Sequence, residues 1–254
     1  MAKHLMKYIK ENGMSELVYL GDCLKEELGI KYKLYEVEGK ELIVLNYCQI
    51  DSPKTHPIVI ECRGTILEKT EDGIQVVCKP FDRFFNYGEA LNVTEDFQLS
   101  RAEVLEKVDG SLIKVYYWNG SWRIATRGTA FAESENYTGK VFLDMVLETL
   151  GFSSLEELSD RLDGHLFHGY TYLFEFISPE NRIVTPYKSS ELVFLGAVCN
   201  ELYIEYPYTE NEFGWINSLI GNVSDSIRAP KVFTTYDEKH KLMEQVKGLD
   251  EGFV

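Results

Sequence analysis

Positive charge is scarce in this chain. Twenty-six Lys and Arg stand against 41 Asp and Glu, for a formal net charge of −15. A surface that acidic does not gather nucleic acid by bulk electrostatics, so a phosphate-binding site has to be a local basic cluster. Cysteine is sparse too: Cys23, Cys48, Cys62, Cys78 and Cys199 are odd in number, widely spaced and free of any CxxC. That excludes a disulfide frame and a Cys-type zinc module, and points to reduced thiols in a cytosol. The only close histidine pair, His165 and His168, has no third ligand set near it. Long apolar runs are missing; stretches such as LVFLGAV fall far short of the roughly 20 residues a membrane span needs. The N-terminal MAKHLMKYIKENGMSEL reads as an amphipathic helix without an apolar h-region or cleavage site, so no secretion signal is inferred. Neither GxGxxG nor GxxxxGK[ST], HExxH or GxSxG occurs, so a bound nucleotide is not held by a glycine-rich loop before a helix.

What is present suffices for a real core. The chain has 254 residues, 44% hydrophobic and 13% aromatic, enough for one large or two small domains. No repeat or low-complexity linker divides it. Residues 2–11 and about 14–28 have helical spacing, and 31–50 read as two strands joined at Glu38-Gly39. PIVIECRGTILEK (57–69) reads as a strand, returning after EDG as IQVVCKPF. VLEKVDG and SLIKVYYW break at Asp109-Gly110 and suggest a hairpin with Lys107 near its lip. Asn119-Gly120 suits a type I′ hairpin turn. Residues 138–150 are helical, and SSLEELSDRL opens with a capping box at Ser153 or Ser154. YTYLFEFI, ELVFLGAV and ELYIEY read as strands, TYDEKHKLMEQVKG as a helix, and LDEGFV as the start of a strand. Strands and helices do not alternate regularly, so the fold class is α+β with mainly antiparallel sheets flanked by helices, rather than a doubly wound parallel sheet.

Chemistry concentrates around Lys107. A free lysine has a pKa of about 10.4 and is almost wholly protonated at neutral pH, so a nucleophilic lysine needs desolvation or a nearby cation. Gly110, in the Asp-Gly break behind it, lets a ligand or a second backbone come close. Glu175 sits between two phenylalanines in an apolar strand, where a carboxylate is costly without a partner. Arg63 precedes a glycine inside a strand pattern, and Glu251 precedes a glycine at the start of another. Each also has a plain reading as a rim charge or edge-strand residue. A local basic cluster would comprise Arg63, Lys79, Arg83, Lys107, Lys114, Arg127 and Arg182.

KVDGS (107–111), FEFISPENRIV (174–184) and EGFV (251–254) stand in the order and rough spacing of three motifs of covalent nucleotidyltransferases, a superfamily of RNA ligases, DNA ligases and capping enzymes. With ECRG (61–64), KPFDRFFNYGE (79–89) and NRIV, the chain most resembles the bacteriophage RNA ligase 1 family, from about residue 40 to the end. The resemblance implies a nucleotidyltransferase (ATP-grasp-like) domain spanning 1–254, its first 40 or so residues a helix-and-strand extension. It implies an ATP-dependent RNA ligase that joins 5′-phosphate and 3′-hydroxyl ends, possibly of tRNA, through lysyl-AMP on Lys107. Arg63, Arg83, Phe85, Gly110, Arg127, Glu175 and Tyr47 would bind the nucleotide, with Glu175 on the ribose. Arg83 stands where the family usually has lysine. Glu251 would lie near Mg²⁺ (or Mn²⁺), which would bridge phosphates and depress the Lys107 pKa. It further implies a monomer in the cytoplasm, of a host cell if phage-encoded, with no membrane partner. The chain stops at Val254, before the family's KxK motif and C-terminal helical domain. The expectation is therefore a truncated form with weak or no self-adenylation. Two alternatives stay open: a DNA ligase or capping-type enzyme, and a non-catalytic nucleotide- or RNA-binding fragment.

Overall fold

The computed structural model describes residues 4–86, 103–209 and 222–233. Helices α1 (His4–Glu11) and α2 (Leu17–Leu28) are followed by β1 (Lys31–Val37) and β2 (Lys40–Asn46), a short helix α3 (Pro57–Glu61), β3 (Arg63–Thr70) and β4 (Gly73–Cys78). The four strands make one antiparallel sheet in the order β1-β2-β3-β4. A two-residue strand β5 (Val104–Leu105) leads to β6 (Ser111–Trp118) and β7 (Ser121–Thr126). Helices α4 (Phe142–Leu150) and α5 (Leu155–Leu162) precede β8 (Tyr170–Ile177), β9 (Glu191–Cys199), β10 (Ile204–Pro207), β11 (Ile227–Arg228) and β12 (Val232–Phe233). The second sheet runs β10-β9-β8-β6-β7, antiparallel throughout, with β11 added parallel to β9. The α+β class with mainly antiparallel sheets is thus the observed one.

Strand alternation builds the layers. In β2, Ile43 and Leu45 pack with Leu5, Leu17, Leu20 and Leu24 of the N-terminal helices, while Leu42 and Val44 pack with Tyr116, Trp118 and Ala125 of the second sheet. Ile113, Val115, Phe174 and Phe176 face Met145, Val146, Leu150 and Leu158 of α4 and α5. The order is helices, sheet, sheet, helices. Because both faces of each sheet are covered, strands such as LIVL and YTYLFEFI are apolar nearly throughout. Each fully buried large apolar side chain contributes about 1.5–3 kcal/mol over its exposed state.

Both predicted tight turns are present. Glu38 and Gly39 have φ of 54° and 74°, and Asn119 and Gly120 have 50° and 80°, the two positive values a type I′ turn requires. The capping box is also there: Ser154 Oγ accepts from the Glu157 N–H, and the Glu157 carboxylate accepts from the Ser153 N–H and hydroxyl.

Three expectations are corrected. The strand predicted over 57–69 begins only at Arg63. Pro57, which has no N–H for a ladder and a φ suited to a first helical turn, starts α3, and the helix end presents Glu61 to α1. The buried Glu61 carboxylate accepts from His4 N–H (2.9 Å) and Leu5 N–H (2.8 Å), capping α1. The helix predicted over 138–150 starts at Phe142, because Asn136 Oδ1 accepts from the Thr138 and Lys140 N–H groups and folds 136–140 into a turn. No hairpin forms at Asp109-Gly110: β5 leaves β6 and pairs with β12. The polar groups of that turn are taken by residues 184–187, as described below. The predicted helix within 235–248 and the strand start at 249–254 lie outside the described residues. All five cysteines are unpaired and all but Cys23 are buried. His168 stacks on Tyr117 with ring centroids 3.6 Å apart and pairs with Asp163 at 2.8 Å. Among the described residues, no helix is long and apolar enough to cross a membrane.

Candidate active site

The break between β5 and β6 carries the central feature. Lys107 is half-buried on the wall of a cavity of about 610 Å³. The residues just after it are locked. Asp109 is buried, and its Oδ2 accepts from the Val184 N–H (2.7 Å) and Thr185 N–H (2.6 Å). The Asp109 N–H donates to the Tyr187 hydroxyl at 3.0 Å. Residues 184–187 therefore strap the Asp-Gly break from outside. Gly110 has a structural reason to be glycine: a Cβ there would lie 2.3 Å from the Phe176 carbonyl oxygen. Of the two approaches expected at Gly110, ligand or second backbone, the strand β8 takes that space.

Alternation in β8 sends Phe174 and Phe176 to the helical core and Glu175 to the opposite face, opposite Leu112 of β6 and toward the cavity. Glu175 Oε1 accepts from the Gly110 N–H at 3.1 Å. Burial pushes the Glu175 pKa up to about 7, against the Arg63 guanidinium, the Gly110 N–H and Lys107, which all favour the carboxylate. Burial also lowers the Arg63 pKa.

Arg63 enters from β3, directly after α3 ends, and its guanidinium lies 4.8 Å from the Phe84 ring centre. Gly64 follows at φ 99°, where a Cβ would meet the Arg127 carbonyl oxygen at 2.4 Å, so glycine is obligatory in that packing. Arg83 and Arg127 both lie over the Tyr47 ring, at 4.4 and 4.8 Å, and Arg83 is 5.2 Å from the Phe85 ring centre. Arg127 Nε also donates to Asn46 Oδ1 at 3.2 Å. Among the described residues none of Arg63, Arg83 and Arg127 forms an ion pair, and Arg83 Nη1 is buried with no hydrogen-bond partner. Three arginines packed on aromatic rings, none in an ion pair and Arg63 set near Glu175, form a local site for an anion.

The sequence-derived residues thus fall into tiers. Lys107, Glu175, Arg63 and Arg83 line the cavity; Tyr47 and Phe85 back Arg83, Arg127 lies over Tyr47, and the Gly110 N–H holds Glu175. Phe84, not Phe85, is the phenylalanine on the cavity wall. Glu251 lies outside the described residues. Three members of the expected basic cluster serve elsewhere. Lys79 is buried and pairs with Asp82 at 2.5 Å, and Lys114 is wholly buried and donates to the Gly64 carbonyl. Arg182 binds the Val184 carbonyl through Nε at 3.0 Å. Asp109 lay in plain view in the motif, and the Asp-Gly pair was a signal of a turn rather than of an anchor. Tyr187 and Asn46 carried no sequence signal, since their roles depend on contacts across 78 and 81 residues. Among the described residues, no group of three or more His, Cys, Asp and Glu could hold a metal ion.

A family model described as RNA ligase matches residues 61–254. A protein of Autographa californica nuclear polyhedrosis virus, named as a bifunctional polynucleotide kinase/RNA ligase, is 35% identical over 99% of this chain and 34% of its own length. An RNA ligase of Rhodothermus phage RM378 is 30% identical over 54% of this chain and 36% of its own. An archaeal ATP-dependent RNA ligase structure covers 91% of this chain and 60% of that chain, with 15% identity and a TM-score of 0.49. The chain spans about a third of the length of the two viral relatives. With the matched segment running through the cavity residues Arg63, Lys107 and Glu175 and over most of the sequence, this chain belongs to the RNA ligase family.

Proposed function

We propose that the chain carries the nucleotidyl-transfer site of an ATP-dependent RNA ligase, joining 5′-phosphate and 3′-hydroxyl RNA ends in RNA repair. The observation that carries this reading is the convergence of Lys107, Glu175 and unpaired arginines on one cavity of nucleotide size. ATP enters with its phosphates toward Arg63 and Arg83, and Glu175 binds the ribose. An acid with a pKa of about 7 can donate to one hydroxyl and accept from another. The Lys107 amine attacks the α-phosphorus. The N–P bond forms, the bond to the bridging oxygen breaks with its electron pair, pyrophosphate leaves, and the amine proton passes to solvent. The 5′-phosphate of RNA then takes the AMP and returns lysine, and a 3′-hydroxyl displaces AMP to seal the strand. Positioning and charge neutralisation supply most of the catalysis in such transfers. Mg²⁺ would be held by Glu251 and the ATP phosphates, and would supply charge neutralisation there.

Intact mass after incubation with ATP and Mg²⁺ tests the reading. The expected result is a gain of one AMP in a small fraction of the wild type, in keeping with weak self-adenylation, and in none of Lys107→Ala, together with sealing of pre-adenylylated RNA. The same experiment with GTP separates a capping-type enzyme. A mass gain that persists in Lys107→Ala removes the proposed nucleophile.

A further inference from the structure

Lys107 is held from its upstream side by a charged clamp whose guanidinium, that of Arg228, lies outside the cavity lining. Strand β5, two residues before Lys107, pairs only with β12 among the described residues, at Leu105↔Val232 and Val104↔Phe233. A two-residue ribbon is too short to hold itself in place. The tie comes from Glu106, the residue just before Lys107. Its N–H donates to the Lys231 carbonyl at 2.9 Å. Its carboxylate accepts from Arg228 Nη1 at 3.1 Å and Nη2 at 3.4 Å, and from the Lys231 N–H at 3.3 Å. Arg228 Nε donates at the same time to Glu191 Oε2 at 2.7 Å. Glu191 begins β9, and Arg228 itself lies beside Val193 in the parallel β11–β9 pair. One guanidinium thus joins the Lys107 segment to the main sheet.

We propose that Arg228 is a positioning residue for the Lys107 amine, acting through Glu106. The nucleophile is suspended between two anchors: Asp109 and Gly110 after it, and the Arg228–Glu106–Glu191 clamp before it. Glu106, Lys107 and Pro230 line the cavity and Arg228 does not. The clamp needs a planar fork that reaches two carboxylates in fixed directions, which an ammonium cannot reproduce. Both carboxylates favour the charged guanidinium and hold the Arg228 pKa up against burial. Removing Arg228 leaves two like charges facing each other at the root of β5, and the Glu106 side chain loses its tie to the main sheet.

This inference rests on the ligase reading, and the experiment separates the two. Arg228→Met is compared with wild type in AMP transfer to Lys107, in sealing of pre-adenylylated RNA, and in labelling of Lys107 by pyridoxal phosphate with borohydride, read by peptide mass. Sealing of pre-adenylylated RNA needs no attack by Lys107. A misplacement of the nucleophile by an ångström costs up to about a hundredfold, so AMP transfer and labelling should each fall at least about tenfold. Sealing should stay within about twofold, as expected when the transition-state contacts of that step are intact. Arg228→Lys, which keeps the charge and one contact, should lie between. Circular dichroism and thermal melting confirm that the variants are folded. Lys107 labelling at the wild-type rate, or sealing lost as fully as AMP transfer, overturns the proposal. A wild type that neither takes AMP nor seals RNA overturns the ligase reading instead, while the labelling contrast still decides the clamp.

Discussion

Glu175 is a carboxylic acid that the fold keeps close to half protonated at neutral pH, with its pKa up at about 7 from the ordinary 4.5. The folded chain therefore holds this proton between about pH 4.5 and 7, where the unfolded chain has released it. Stability from this group is lost as pH rises through that window, by about 3 kcal/mol in total. Glu175→Gln keeps the shape without the charge. Denaturant midpoints for wild type and variant should converge near pH 4 and separate by pH 8, with the variant the more stable. Equal midpoints at pH 8 would mean that Glu175 is not desolvated. ATP binding should weaken in the same variant above pH 7, where the ionised carboxylate accepts at both oxygens and the amide accepts at only one. Stability and function thus pull in opposite directions at this residue, as expected where a binding site holds a costly polar group.

At the scale of elements, the site depends on how closely strands approach. Gly110 lets β6 start against the Phe176 carbonyl with no room for a side chain. Gly120 in the β6–β7 turn has φ 80° and open space around its Cβ direction. Gly120→Ala should cost only about 1 kcal/mol, from the left-handed conformation. Gly110→Ala should cost at least about 2 kcal/mol, because backbone has to move, and should also tilt Glu175 away from the Gly110 N–H. Thermal melting of the two variants checks the order. A Gly110→Ala chain as stable as Gly120→Ala would show that β6 and β8 have slack where Gly110 meets Phe176. The strap of residues 184–187 and the Arg228 clamp belong to this scale as well, since each converts a short irregular segment into a fixed support for Lys107.

For the whole molecule, the net charge of −15 and the three unpaired arginines make opposite demands. A ligase that meets RNA through about three phosphate contacts should show a log–log salt slope near −2 for single strands. Titration of a labelled 5′-phosphate oligonucleotide at several salt concentrations measures it. A slope steeper than about −4 would place a basic RNA surface beyond Arg63, Arg83 and Arg127. The layered build supports a compact site of this kind. Two sheets face each other across an apolar interface of Leu42, Val44, Ile66, Tyr116 and Trp118, and the cavity draws Arg63 from one sheet and Glu175 from the other.

Local chemistry was enough, from the amino-acid order alone, for the tight turns at 38–39 and 119–120, the capped helix at 155 and the buried strands. Turn dihedrals, caps and alternation are decided by neighbours within a few residues. The Lys107, Glu175 and Arg63 strings also identified the family before any contact was known. Tertiary structure decided which cations face the cavity and which, like Lys79 and Lys114, are consumed inside the fold. It decided that Asp109-Gly110 is an anchor rather than a hairpin turn, and that Pro57–Glu61 is helix rather than strand. It also brought Tyr187 to Asp109 and Arg228 to Glu106. Lys114, Glu61, Asp109 and Glu106 find their partners 50, 57, 75 and 122 residues away, and an apolar or charged string carries no record of which distant partner will satisfy it.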